Sequence, residues 1–218
     1  MRRLLAFFGA FNPPTVAHLE LARFAAEKTG RDGVIFVPSQ TSYIYGEQGK
    51  DFAFSDAERL AMLRAAARTR PWMSVTGWEL EQETQPRTYR TLCHLREEGI
   101  EASLLFGSDK LGELESIWFR PEAIAEEFGI VCMTRGSDDC KKMIEEDPFL
   151  RKLSPYITVV RTPRSYRNVS STGIRQKLKK IIKTEKELER MVPEEILPQL
   201  CGPGGSLPTI QTLRRDNQ

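Results

Sequence analysis

Two short segments carry the residue types that bind phosphate. The first is Gly9-Ala10-Phe11-Asn12-Pro13-Pro14-Thr15-Val16-Ala17-His18, and the second is Asn168-Val169-Ser170-Ser171-Thr172-Gly173-Ile174-Arg175. In the first, Gly9 leaves out a side chain where backbone must turn sharply or approach a ligand. Pro13 and Pro14 have no N–H to lose and fix φ, as a rigid turn or a helix's first turn requires. Thr15 can cap the helix that follows, which puts His18 in its first turn, beside N–H groups at the positive end of the macrodipole. An imidazole there can donate to a phosphate oxygen. In the second segment Ser170, Ser171 and Thr172 offer hydroxyls, Ser171 can cap a helix, and Arg175 lies one turn further on. An anion at that helix start would meet N–H, hydroxyl and guanidinium together. Taken singly, each segment also has an ordinary reading: a helix-starting turn with His18 on the surface, and a Ser/Thr cap with Arg175 in solvent.

The elements around these segments decide where they sit. Leu4-Leu5-Ala6-Phe7-Phe8 reads as a buried strand, and Leu19, Leu21, Ala22, Phe24 and Ala25 recur at helical spacing up to Gly30. The first segment is therefore a strand-to-helix turn at the carboxyl end of a strand, where open α/β sheets bind ligands. Val34–Val37 reads as a second buried strand, completing a right-handed βαβ unit. The polar stretch Gln40–Phe54, with Tyr43, Tyr45 and Lys50, reads as a long loop. Ser55-Asp56-Ala57-Glu58 resembles a capping box for a helix bearing Leu60, Met62 and Leu63. Further strands are expected at Met73–Thr76, Ala102–Phe106, Ile130–Thr134 and Ile157–Val160, with helices at about 88–98, 122–128 and from Ser171 onward. Such alternation predicts an α/β fold: a Rossmann-like parallel sheet with helices on both faces.

Composition narrows the class. At 218 residues, 40% hydrophobic and 28% charged, the chain is expected to form a single domain over residues 1–200. Residues 201–218 hold few core-forming residues and read as a flexible tail. No apolar run approaches the roughly 20 residues of a membrane span. Met1-Arg2-Arg3 is followed by too short an apolar run for a signal peptide, so a cytoplasmic chain is expected. Cys93, Cys132, Cys140 and Cys201 form no C-x-x-C pair and there are only two histidines, which argues for free thiols and against structural zinc. Residues 161–190 contain ten Lys/Arg against three Glu. Tyr166 is the one aromatic there, giving little basis for nucleic-acid stacking, and a triphosphate partner accounts for part of that charge equally well.

The motif G-x-F-N-P-P-T-x-x-H resembles the (H/T)-x-G-H signature of the nucleotidylyltransferase superfamily, with Thr15 for the first histidine and Ala17 for the usual glycine. V-S-S-T-x-I-R, at Val169–Arg175, resembles the second signature of that superfamily. Val37-Pro38-Ser39, the Ser55–Leu63 helix, Thr88-x-x-Thr91-Leu92, Gly107-Ser108-Asp109, Trp118 and Met191–Ile196 are similar to the bacterial nicotinate (or nicotinamide) mononucleotide adenylyltransferases. The resemblance implies adenylyl transfer from ATP to a pyridine mononucleotide, with pyrophosphate released. It implies His18, Thr15 and Arg175 as catalytic residues. Gly9, Ala10, Phe11, Lys50, Gly107, Asp109, Arg135, Ser170, Ser171 and Thr172 fall on the ATP and phosphate side, with Gly107 and Asp109 at the ribose. Thr88 and Trp118 line the acceptor pocket. Mg²⁺ is expected on the phosphates, with no protein ligand, no nucleic-acid or membrane partner, and a homo-oligomer as one possible state. Two departures fall near the acceptor: Arg87 replaces a tyrosine, and the Gln40–Phe54 loop lacks the family's proline-rich lysine stretch. Transfer to phosphopantetheine, and a nucleotide-binding regulator without turnover, are the rival readings.

Overall fold

The computed structural model describes residues 2–46, 54–134, 138–162 and 190–200. Six parallel strands form one sheet: β1 (Arg2–Gly9), β2 (Gly33–Pro38), β3 (Met73–Val75), β4 (Ile100–Gly107), β5 (Ile130–Met133) and β6 (Ile157–Val160). Their spatial order is β3-β2-β1-β4-β5-β6. The chain therefore winds outward from β1 in one direction and returns to β4 to wind in the other. The boundary between β1 and β4 is a topological switch point, where the carboxyl ends of neighbouring strands open a crevice.

Burial on both faces explains the unbroken apolar runs of β1, β2 and β4. On one face Leu5, Val34, Phe36, Leu105 and Val131 meet α1 (Val16–Lys28) and α3 (Asp56–Ala67). On the other, Leu4, Ala6, Leu104, Phe106 and Ile130 meet α4 (Thr88–Glu97) and α6 (Pro121–Phe128), joined by Leu150 and Leu153 of the short helix Pro148–Leu153. The alternation Leu4/Leu5 and Leu104/Leu105 between the two clusters is the pleat of the strands. A third cluster packs Phe54 and Met62 against Val192, Ile196, Leu197 and Leu200, so the 190–200 segment lies over α3. Gly33 is where two backbones meet: a Cβ there would lie 2.1 Å from the Trp72 carbonyl oxygen, which also accepts the Val34 N–H at 2.8 Å.

The expected α/β architecture holds, with differences of detail. The Gln40–Phe54 stretch is not wholly a loop, because Thr41–Gly46 form a short helix, α2. Its start is fixed by Asp56, whose Oδ1 accepts from the Thr41 N–H (2.7 Å) and hydroxyl (2.6 Å). That carboxylate lies beyond the stretch itself, so local sequence could not reveal it. The short helices α5 (Leu114–Ile117), α7 (Cys140–Glu146) and α8 (Pro148–Leu153) likewise have no periodic signal in the sequence. Each is too brief for a 3.6-residue pattern to declare itself. Cys93, Cys132 and Cys140 are free thiols, as expected.

Candidate active site

Thr15 is the N-cap of α1, with extended φ and ψ of −123° and 158°. Its hydroxyl oxygen accepts the His18 N–H at 3.1 Å, while its own N–H donates to His18 Nδ1 at 3.1 Å. This is a capping box in which histidine takes the place usually held by Glu or Gln. The arrangement fixes the tautomer: an Nδ1 that accepts a hydrogen bond carries no proton, so the neutral ring bears its hydrogen on Nε2. The ring is held edge-on to Phe11 (5.3 Å, 88°) and Phe7 (6.2 Å, 67°). Thr15 is fully buried, and both of its capping bonds go to His18. It therefore sets the orientation of that ring.

Gly9 and Ala10 are half-buried at the end of β1, and Phe11 is buried with φ of 42°. A Cβ at Gly9 would touch the Phe11 ring at 3.2 Å, so glycine lets the ring fold back over the strand end. Phe11 then packs on Phe7 and Phe36 (5.4 and 5.3 Å), and Asn12 Oδ1 accepts the Phe54 N–H at 2.9 Å.

Arg59 ties this turn to the rest of the site, a role not anticipated from sequence. Its guanidinium is fully buried. It donates to the carbonyls of Ala10 (2.8 Å), Ser39 (2.6 Å) and Phe54 (3.1 Å) and to Asp56 Oδ1 (2.5 Å). Burial pulls its pKa below the ordinary guanidinium value, and the Asp56 carboxylate opposes that shift. One cation thus fastens the turn after β1, the turn after β2 and the start of α3. The Ser55-to-Leu60 pattern was visible as a capped helix, and the Ser55–Glu58 capping box is present. Nothing in helical periodicity shows that the arginine on it points inward.

Gly107 ends β4 beside β1. The register Phe7↔Leu105 puts it level with Gly9. Asp109 is exposed in the 3-10 turn Ser108–Glu113, and its Oδ1 lies 2.7 Å from where a Cβ on Gly107 would be. The glycine is therefore needed for the carboxylate to lie back over the strand end. Ser108 donates to Asp138 at 2.6 Å. Thr88 is the first residue of α4, half-buried, and its cap residue Arg87 makes no side-chain capping bond. Trp118 follows the Leu114–Ile117 helix, half-buried, with its ring 5.6 Å from Phe106. It thus leans on the core while remaining partly accessible. The N-termini of α1 and α4 both lie at the carboxyl edge of the parallel sheet. The structure accordingly gathers Gly9, Ala10, Phe11, Thr15, His18, Thr88, Gly107, Asp109 and Trp118 along one edge. Lys50, Arg135, Ser170, Ser171, Thr172 and Arg175 lie outside the described residues.

A parallel sheet of this order, with a capped histidine and two glycines at its switch point, is a Rossmann-like arrangement whose ligand crevice lies at that edge. The chain belongs to the cytidylyltransferase-like family, whose model matches residues 6–177. A relative from Exiguobacterium sibiricum, named a probable nicotinate-nucleotide adenylyltransferase, is 30% identical over 193 residues, covering 86% of this chain and 90% of its own. One of the same name from Clostridium botulinum is 26% identical over 197 residues, covering 90% and 94%. The solved nicotinic acid mononucleotide adenylyltransferase of Plasmodium falciparum, complexed with NaAD, superposes with a TM-score of 0.67. It does so over 91% of this chain and 96% of its own at 16% identity, which establishes a shared fold. No helix among the described residues is long and apolar enough to cross a membrane.

Proposed function

We propose that this chain transfers the adenylyl group of ATP to nicotinate or nicotinamide mononucleotide, forming the dinucleotide and pyrophosphate. The Thr15–His18 capping box at the β1/β4 switch point carries the reading. It holds an Nε2–H donor at a helix N-terminus, on the sheet edge where a triphosphate would lie. The sequence relatives supply the substrate class.

An oxygen of the acceptor phosphate attacks the α-phosphorus in line, and the bond from that phosphorus to the β-phosphate oxygen breaks. The electron pair leaves on pyrophosphate. The nucleophile is already an anion, so the protein need not remove a proton and acts by positioning and charge stabilisation. His18 donates from Nε2 to an α-phosphate oxygen as charge builds there. Backbone of Gly9–Phe11, held by Arg59, cradles the triphosphate, and Gly107 and Asp109 receive the ribose. Ser170, Ser171, Thr172, Arg175, Lys50 and Arg135 complete the phosphate site, while Thr88 and Trp118 receive the pyridine mononucleotide. A Mg²⁺ ion brought in with ATP would neutralise charge on the phosphates. Among the described residues no three His, Cys, Asp or Glu side chains converge to hold a metal.

The test is pyrophosphate release with ATP and Mg²⁺, offering nicotinate mononucleotide, nicotinamide mononucleotide and phosphopantetheine in turn. Release with either pyridine mononucleotide is expected, and the ratio of the two kcat/KM values gives the preferred acceptor. Release with phosphopantetheine alone, or with none, refutes the proposal.

A further inference from the structure

Glu79 is 1% exposed, and so buried a carboxyl is rare without partners. Its Oε1 accepts the Thr91 hydroxyl at 2.6 Å and its Oε2 accepts the Gln85 side-chain amide at 2.5 Å. Gln85 Oε1 in turn accepts the backbone N–H of Gln40 at 2.7 Å. The Gln40 side-chain amide closes the circuit by donating to the carbonyls of Glu79 (3.0 Å) and Gln82 (2.6 Å). Thr91 and Gln40 are buried as well. This is a closed polar network inside the protein, not a surface ion pair.

Its placement gives it a use. Gln85 lies two residues before Arg87, the N-cap of α4, and Thr91 lies one turn inside that helix. The Glu79 carboxyl therefore grips the chain on both sides of Arg87 and Thr88. Arg87 contributes no side-chain cap, so only the backbone bonds of Arg90 and Thr91 to its carbonyl close the first turn locally, and the Glu79 bridge adds the side-chain hold. Through Gln40 the same network is anchored to the end of β2, next to Ser39, whose N–H donates to the Gly9 carbonyl at 3.0 Å. The ATP turn has a fastener of its own in Arg59, which contacts Ala10 and Ser39 directly.

We propose that Glu79 is a positioning residue for the acceptor end of the active site, fixing Thr88 and the start of α4 by bridging Gln85 and Thr91. The inference rests on the adenylyl-transfer reading, with Thr88 at the acceptor. Replacing Glu79 with an apolar residue of similar size frees the helix entrance while leaving the ATP turn held by Arg59. A fully satisfied buried network orders what it touches, and a partly satisfied one loosens it. The loss should therefore appear as weaker acceptor binding.

The experiment is steady-state pyrophosphate release by the full chain. Each pyridine mononucleotide is varied at saturating ATP and Mg²⁺, and ATP is then varied at saturating acceptor. Glu79→Leu is expected to raise the acceptor KM about tenfold, with kcat and the KM for ATP within about twofold of the wild type. Glu79→Gln is expected to stay close to the wild type, because its carbonyl still accepts from Gln85 and its amide can donate to the Thr91 oxygen. Gln85→Ala, at a half-buried loop position, should raise the acceptor KM in the same direction, and it decides the matter if Glu79→Leu does not fold. An unmoved acceptor KM in a folded Glu79→Leu, or in Gln85→Ala, overturns the inference. So does an equal rise in the KM for ATP, which a general loosening of the fold would produce. A wild type silent with both mononucleotides defeats the proposed function and this inference together. An active wild type with unmoved variants defeats only the inference.

Discussion

The buried carboxyl of Glu79 makes stability depend on pH in a way that can be worked out in advance. Burial raises its pKa from the ordinary 4.5 to about 7, and the hydrogen bonds from Thr91 and Gln85 pull partly against that shift. Both donors are neutral, so no cation in the network holds the charge in place. Below pH 4.5 the carboxyl is protonated in the folded and unfolded chains alike, and the stability linked to it is fully present. Between 4.5 and about 7 the unfolded chain has released a proton that the folded chain keeps, so stability falls as pH rises. Above about 7 the loss is complete. At about 1.4 kcal/mol per pH unit, the interval corresponds to about 3 kcal/mol. Glu79→Gln has no proton to lose and preserves the hydrogen-bonding shape. Urea unfolding of wild type and variant at half-unit steps from pH 4.5 to 8 isolates the effect, because every other titrating group cancels in the difference. Wild type should lose about 3 kcal/mol relative to Glu79→Gln across that range. A difference that is flat with pH would refute the reasoning. One that grows in favour of the wild type would show that the ionised carboxylate is the form the network prefers.

The remaining predictions concern the turn and the sheet. His18→Ala removes the proposed phosphate donor and should lower kcat by roughly 10²–10³-fold in the pyrophosphate assay. The accompanying loss of half the capping box should cost only about 1 kcal/mol in urea unfolding. Arg59→Met leaves the Ala10, Ser39 and Phe54 carbonyls without their buried donor and should destabilise the chain by about 3 kcal/mol or more. In any fraction that folds, the KM for ATP should rise, and an unchanged KM would show that Arg59 does not shape the ATP turn. Gly33→Ala drives a methyl into the Trp72 carbonyl. It should cost about 3 kcal/mol, lowering Tm by about 10 °C in a thermal melt.

Much of the fold was legible because the signals were local and repeated. Apolar runs such as Val34–Val37 and Leu104–Leu105 are buried on both faces of a parallel sheet, so their composition announces it. The Thr15 cap and the Ser55–Glu58 capping box could be placed because both partners lie within four residues of each other. The proposed phosphate-binding role of the 9–18 turn rests on residue types at fixed spacing and on their resemblance to a family signature, since an anion site at a helix start needs a cap, an open backbone and a donor close together.

What the sequence left open was set by contacts between distant segments. Nothing in the helical spacing of Leu60, Met62 and Leu63 marks Arg59 as a buried cation. Only the packing of α3 against the ends of β1 and β2 turns it inward onto the carbonyls of Ala10 and Ser39. The α2 helix depends on Asp56, 15 residues after Thr41. Glu79 lies in the polar stretch that precedes α4, where nothing local marks it. Its meaning appears once Gln40, Gln85 and Thr91 converge on it from three segments. Local spacing determined what kind of site this chain could build. The tertiary structure decided which buried charges hold it in shape, because a buried polar group is stable only where distant segments bring its partners.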